Sequence, residues 1–232
     1  MNPEQPIRLH LGCGENYLAG YTNVDLPVEH QTVMQTRADL YADVRTLNYA
    51  ENSVSEVRTH HMLEHFSRQE AIKLLLRWRR WLRADGVLHV ETPDFEEGVK
   101  RFTSGNMHTK FAVARHLFGS QEAAWAFHLD WWGEEKFRFV LPRLGYEIIE
   151  LEKRASYLGR IPIEKVGAAI NRFAPESVKN ATGDRLDNII VKAKKMPRVI
   201  DERAAARDIL SCSLVGTEKK TLEVWMREIF PE

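Results

Sequence analysis

The chain has 232 residues, 44% of them hydrophobic and 28% charged, with Lys+Arg and Asp+Glu both at 33. That length and apolar content suit one α/β domain with appendages or two small domains, and a formal net charge of zero creates no global field toward nucleic acid or a membrane surface. Two cysteines, Cys13 and Cys212, exclude a disulfide framework and a cysteine zinc site; without a signal-peptide pattern at residues 1–6 or an apolar run of membrane-span length, a cytoplasmic protein is expected.

Strands are expected at 7–11, 21–26, 38–44 (the weakest), 55–60, 86–92, 145–152 and 186–194. The first runs into Gly12-Cys13-Gly14, a turn that glycine allows through positive φ and close backbone approach. The second ends in Asp25, a carboxylate placed to accept hydrogen bonds from the hydroxyls of a ribose. A nicotinamide fingerprint loses ground, because position 17 is Tyr rather than a third glycine and Asp25 follows too soon.

The clearest helix spans 68–83, opened by the Ser67-x-x-Glu70 capping box, lined by Ile72, Leu75, Leu76 and Leu82 and ended by Asp85-Gly86. A second helix is expected at 133–143, cut short by Pro142 before Gly145, and a short one near 163–173. Residues 104–132 look like an insertion rich in histidine and aromatics. Its Phe111, Phe118, Trp125 and Phe127 are candidates for a satellite core under a lid, and His128 and Asp130 for polar roles at a pocket. Helical patterns at 199–211 and 217–229 follow Met196-Pro197, so residues 1–196 read as the main domain and 197–232 as a helical extension. In that extension Trp225, Met226 and Ile229 either form a homodimer contact or pack back on the domain.

In order and spacing, Leu9-His10-Leu11-Gly12-Cys13-Gly14, Asn23-Val24-Asp25, Asp43-Val44, His61-Met62-Leu63-Glu64-His65, Asp85-Gly86 and Thr92-Pro93-Asp94 resemble the class I methyltransferases that use S-adenosylmethionine. More narrowly, they resemble the small predicted methyltransferases associated with polysaccharide and sugar biosynthesis. The resemblance covers roughly residues 7–153 and implies a Rossmann-like α/β fold. That fold has a mixed, mostly parallel seven-stranded sheet with helices on both faces, an inserted aromatic-rich lid and a C-terminal helical appendage. It implies S-adenosylmethionine as cofactor, with Leu11, Gly12, Cys13 and Gly14 at its methionine part and Asp25 and Leu26 at the ribose. Asp43 and Val44 would then lie at the adenine, and His60 and His61 along the other side.

The acceptor is expected to be a small molecule or saccharide bearing a hydroxyl, whose proton must leave. His128 and His61 are the candidate bases and Asp94 a substrate-orienting group. Three other readings stand beside this one. Lys73, Arg77, Arg79, Arg80 and Arg83 form a basic stripe on the long helix that would suit RNA phosphates, although the net charge argues against it. A non-catalytic scaffold could keep the fold without turnover. His61-x-x-Glu64-His65 matches an inverted zinc-peptidase pattern, but the helix beginning at Ser67 breaks that geometry, so no metal is expected.

Overall fold

The computed structural model describes residues 6–30, 32, 35–157 and 185–231; the short helix expected near 163–173 lies outside them. The described strands are β1 (Ile7–Leu11), β2 (Thr22–Asp25), β3 (Leu40–Tyr41), β4 (Val54–His60), β5 (Leu82–Pro93), β6 (Tyr146–Tyr157) and β7 (Arg185–Lys195). They form one sheet in the order β3-β2-β1-β4-β5-β7-β6. Strands β1 to β5 pair in parallel, and β7 lies antiparallel between β5 and β6. Alternation explains which face is core. Leu9 and Leu11 of β1, Val57 of β4, and Leu88 and Val90 of β5 are buried. Between them in sequence come Arg8, His10, Glu56, Arg58 and His89, which strand geometry sends to the opposite face.

Helix α1 (Arg68–Trp81) starts at the capping box foreseen, with Ser67 and Glu70 satisfying each other's amides. It stops two residues short of the expected end because the chain passes directly into β5, and the Asp85 turn, at φ +59°, lies within that strand. Helix α2 (Phe95–Ser104), capped by Asp94, leads into the lid, and α3 (Met107–Phe118), capped by Asn106, lies within it. Helix α4 (Glu134–Arg143) carries Pro142 in its last turn. Gly145 follows at φ +78°, and a Cβ there would collide with the Arg79 side chain.

The C-terminal helices, α5 (Glu202–Ser211) and α6 (Lys219–Ile229), belong to the same core as α1. Leu222, Met226 and Ile229 are buried and Trp225 packs against the cluster, so the intramolecular alternative accounts for these residues and the dimer contact loses its apolar surface. The basic stripe is consumed in the same way. Lys73 donates to the Glu228 carbonyl, Arg80 pairs with Glu202, and Arg77 donates to the Arg45 carbonyl. Buried Arg79 donates to the carbonyls of Gly145, Met196 and Arg198. These cations anchor the C-terminal segment and the Arg45 loop, which gives the stripe a structural role. No helix among the described residues is long and apolar enough to cross a membrane.

Candidate active site

Strands β1, β2 and β4 end level with one another, since Leu11 is in register with both Val24 and Thr59. The loops after them therefore open at one edge of the sheet, where the strand order reverses between β1 and β4, the usual place for a ligand in such sheets. A cavity of about 730 Å³ lies there, within the range of about 300–1,000 Å³ common for small-molecule sites.

The glycine turn forms one wall. Gly12 sits at φ +67° and Gly14 at φ +52°. A Cβ on Gly12 would lie 2.8 Å from Met62, whereas one on Gly14 would meet nothing within 4 Å, so Gly14 exposes bare backbone to open space. Asp25 holds the turn: its carboxylate accepts from the Gly14 amide at 2.6 Å and from the Leu26 amide at 2.7 Å. Buried Asn23 makes a helix unnecessary between the turn and β2, because its side chain binds both the amide and the carbonyl of Leu18. Burial pushes the Cys13 thiol up to about 12, so it is a packing residue rather than a nucleophile.

Asp25, Leu26, Asp43, Val44, His60 and His61 all line the cavity with Gly12, Cys13 and Gly14. Asp43 is engaged by Arg45 at 2.6 Å, and Arg45 also reaches Glu70. A carboxylate has about four lone-pair positions, so Asp43 retains acceptor capacity toward a ligand. Leu11 does not join them: as the alternation of β1 requires, its side chain is fully buried in the sheet core.

The three candidates for proton transfer and substrate orientation separate. His61 lines the cavity, in a left-handed conformation at φ +48° pinned by its amide to the Glu91 carbonyl at 2.9 Å. Its Nδ1 lies 3.2 Å from Oε1 of buried Glu64. Burial alone would lower the His61 pKa, but the hydrogen bond and charge of Glu64, aided by Glu91, raise it above the ordinary value. His128 instead packs edge-on against His65 behind the wall, and burial takes its pKa down to about 4. Asp94 is fully buried, where it caps α2 through the Glu97 amide and lies 3.5 Å from Lys153; it does not reach the cavity.

The lid also differs in detail from expectation. Phe111 is 71% exposed, and Phe118 and Phe127 are exposed too, so they form no satellite core; Val113, Leu117 and Ala126 are the buried residues there. Asp130 pairs with Lys136 at 2.5 Å beside the Trp131 and Trp132 rings rather than facing the cavity. Trp125 and Leu129 do line it, and Trp125 Nε1 donates to the His30 carbonyl at 2.7 Å, tying the lid across the mouth. Glu64 and Trp125 are the contributors that sequence reasoning underweighted. For Glu64 the i, i+3 spacing from His61 was the available signal. The zinc-peptidase geometry is absent: only Leu63–His65 forms a 3₁₀ turn, and His61 and His65 belong to different side-chain clusters.

No family model matches this chain, and no curated protein matches it in sequence. Among solved structures, it is similar to a candidate methyltransferase from Bacillus halodurans, with 14% identity and a TM-score of 0.50 over 81% of this chain and 91% of that one. It is also similar to a chain in the complex of the Haloferax volcanii Trm112 methyltransferase activator with a candidate methyltransferase, with 15% identity and a TM-score of 0.51 over 83% and 86%. Together with the strand order and the antiparallel β7, these likenesses show that the chain has the Rossmann-like fold of the class I methyltransferases.

Proposed function

We propose that this protein transfers a methyl group from S-adenosylmethionine to a hydroxyl of a small molecule, a saccharide being the favoured class. The observation that carries the reading is the convergence, on one cavity, of the glycine turn, the Asp25 carboxylate and the carboxylate-backed His61. The residues fit that cofactor. Gly14 leaves open space where a side chain would intrude, Asp25 stands at a strand end where a ribose diol is bound in such sheets, and Leu26 and Val44 offer apolar packing for a base, with Asp43 at its edge.

When bound, S-adenosylmethionine supplies an electrophilic methyl group on a sulfonium. The protein's own residues align the acceptor and take its proton. Glu64 fixes the His61 ring through Nδ1, leaving Nε2 to accept the hydroxyl proton, and the negative charge behind the ring stabilises the imidazolium that results. The lid restricts access, with Trp125 bonded to the His30 carbonyl and Thr32 to Glu122, which suits a small acceptor better than a polymer.

Isothermal titration with S-adenosylmethionine and S-adenosylhomocysteine tests the cofactor, followed by a screen of hydroxylated acceptors for S-adenosylhomocysteine release. Saturable binding that weakens in Asp25→Asn, with turnover lost in His61→Ala, is the expected result. No binding by folded protein overturns the enzyme reading, and binding without turnover on any acceptor class favours a scaffold.

A further inference from the structure

We propose that Glu64, His65 and His128 form a binding site for one divalent transition-metal ion of the zinc type, which clamps the lid to the loop after β4. Each residue offers a ligand atom, and these atoms lie within 4.8 Å of one another. Small side-chain rotations would bring them to the spacing of about 3–3.5 Å found around a tetrahedral zinc.

Two features point to a cation, and a third brings the ligand side chains together. Glu64 is 2% exposed and uses only Oε1 toward His61; its Oε2 is buried with no hydrogen-bond partner. A buried carboxylate oxygen left unpaired is costly, and a cation between it and the neighbouring rings removes that cost. Second, His65 Nδ1 lies 3.1 Å from the Phe127 carbonyl, which can only accept. The Nδ1 must therefore carry the proton, and the Nε2 lone pair is left for a ligand. A carbonyl behind the ring is the usual support of a metal-bound histidine.

Third, the backbone around His128 is held without any metal. Its amide donates to the Phe118 carbonyl at 3.2 Å, and the Leu129 and Asp130 amides donate to the Glu64 carbonyl at 2.8 and 3.2 Å. The lid thus delivers His128 edge-on to His65, with ring centroids 4.7 Å apart.

Two imidazoles and one carboxylate suit zinc, cobalt or nickel rather than magnesium or calcium, and leave a fourth position for water. The neighbouring group of His60, His61 and Glu91 is a weaker candidate, because Glu91 is already held by His60 at 3.3 Å and Asn188 at 3.1 Å. His61 is outside the proposed ligand set, so this is not the peptidase arrangement.

The test titrates chelator-stripped full-length protein with Co²⁺, read by the visible absorption of the four-coordinate ion, and then displaces it with Zn²⁺. One equivalent is expected to bind, with affinity falling at least about 100-fold in His128→Ala and unchanged in His60→Ala. Zn²⁺ is expected to raise the wild-type Tm and not that of His128→Ala. His65→Asn serves as a second ligand variant if His128→Ala does not fold. No saturable binding at micromolar metal, equal affinity in wild type and ligand variants, or loss of binding in His60→Ala would each overturn the site.

Discussion

Nδ1 of His61 and Oε1 of Glu64 lie 3.2 Å apart, across a turn in which His61 adopts φ +48°. A left-handed conformation costs a residue with a Cβ about 1–3 kcal/mol, so it persists only where the surroundings hold it. Here the Glu91 carbonyl binds the His61 amide and Glu64 binds the ring. The strained turn aims the imidazole into the cavity shared with the glycine loop.

The pH dependence of turnover follows from that pair. Burial acts to lower the His61 pKa, but Glu64 and Glu91 raise it beyond the ordinary value of about 6.5. A base works only when unprotonated, so kcat/KM is expected to fall as pH drops through a value above about 6.5. In metal-free protein, Glu64→Gln removes the charge behind the ring and should move this limb to lower pH. His61→Ala should lower kcat by about 10²–10⁴-fold with cofactor affinity nearly kept. Steady-state pH profiles of the three proteins check both statements.

Stability carries the same signature. With its folded pKa raised, His61 contributes stability that is complete below about pH 6.5 and is lost as pH rises through the raised value. Burial pushes Glu64 up, but His61 and the neighbouring histidines hold it below its ordinary range. Its contribution is therefore present above about pH 4.5 and lost as pH falls through the lowered value. In metal-free protein the Tm advantage of wild type over Glu64→Gln should be largest between about pH 4.5 and 6.5 and shrink on either side, as thermal scans across that range would show.

The two glycines of the turn should fail differently. Gly12→Ala places a methyl 2.8 Å from Met62 and strains φ +67°, so folding should lose about 2–4 kcal/mol, with only the steric part recovered by Met62→Ala. Gly14→Ala meets nothing within 4 Å and carries only the conformational cost of φ +52°, about 1–2 kcal/mol. Its larger effect should be on S-adenosylmethionine affinity, because the added methyl faces the cavity. Chemical denaturation and calorimetry together distinguish the two.

Asp25→Asn is expected to weaken S-adenosylmethionine binding by about 1–3 kcal/mol, roughly 5- to 150-fold, through loss of charge-assisted hydrogen bonds. Because Asp25 also holds the Gly14 and Leu26 amides, a smaller loss of Tm should accompany it. Unchanged affinity in titration would reject the ribose assignment.

Which parts of this site could be read from sequence follows from how far each residue's partner lies along the chain. Asp25, Asp43 and His60 stand at or just after strand ends, where strand direction alone places them at the sheet edge. The same alternation that buries Leu9 also buries Leu11, so its placement in the core was readable and the motif obscured it. Asp94 was legible as a cap from Glu97 three residues on, and Asn106 announces α3 in the same way. Asp130 pairs with Lys136 six residues on, a spacing that neither the helix nor the strand period marks, and His65 meets His128 from 63 residues away. The structural contacts of the basic stripe are hidden for the same reason, since Lys73 and Arg80 satisfy groups more than 120 residues distant.

Arg79 gives that last point a measurable form. It is buried, and its guanidinium donates to the carbonyls of Gly145, Met196 and Arg198, joining α1 to the start of β6 and to the segment leading into α5. Hydrogen bonds from a charged donor are worth about 1.5–3 kcal/mol, and removing the donor leaves carbonyls short of a partner. Arg79→Met should therefore destabilise by about 2–3 kcal/mol, lowering Tm by about 5–10 °C in a chain of this size. Arg83, by contrast, is exposed, and Arg83→Ala should shift stability by no more than about 0.5 kcal/mol. If the stripe were also an RNA-binding face, Arg83→Ala would reduce RNA affinity while leaving Tm nearly unchanged, so parallel melting and RNA-binding measurements separate the two roles.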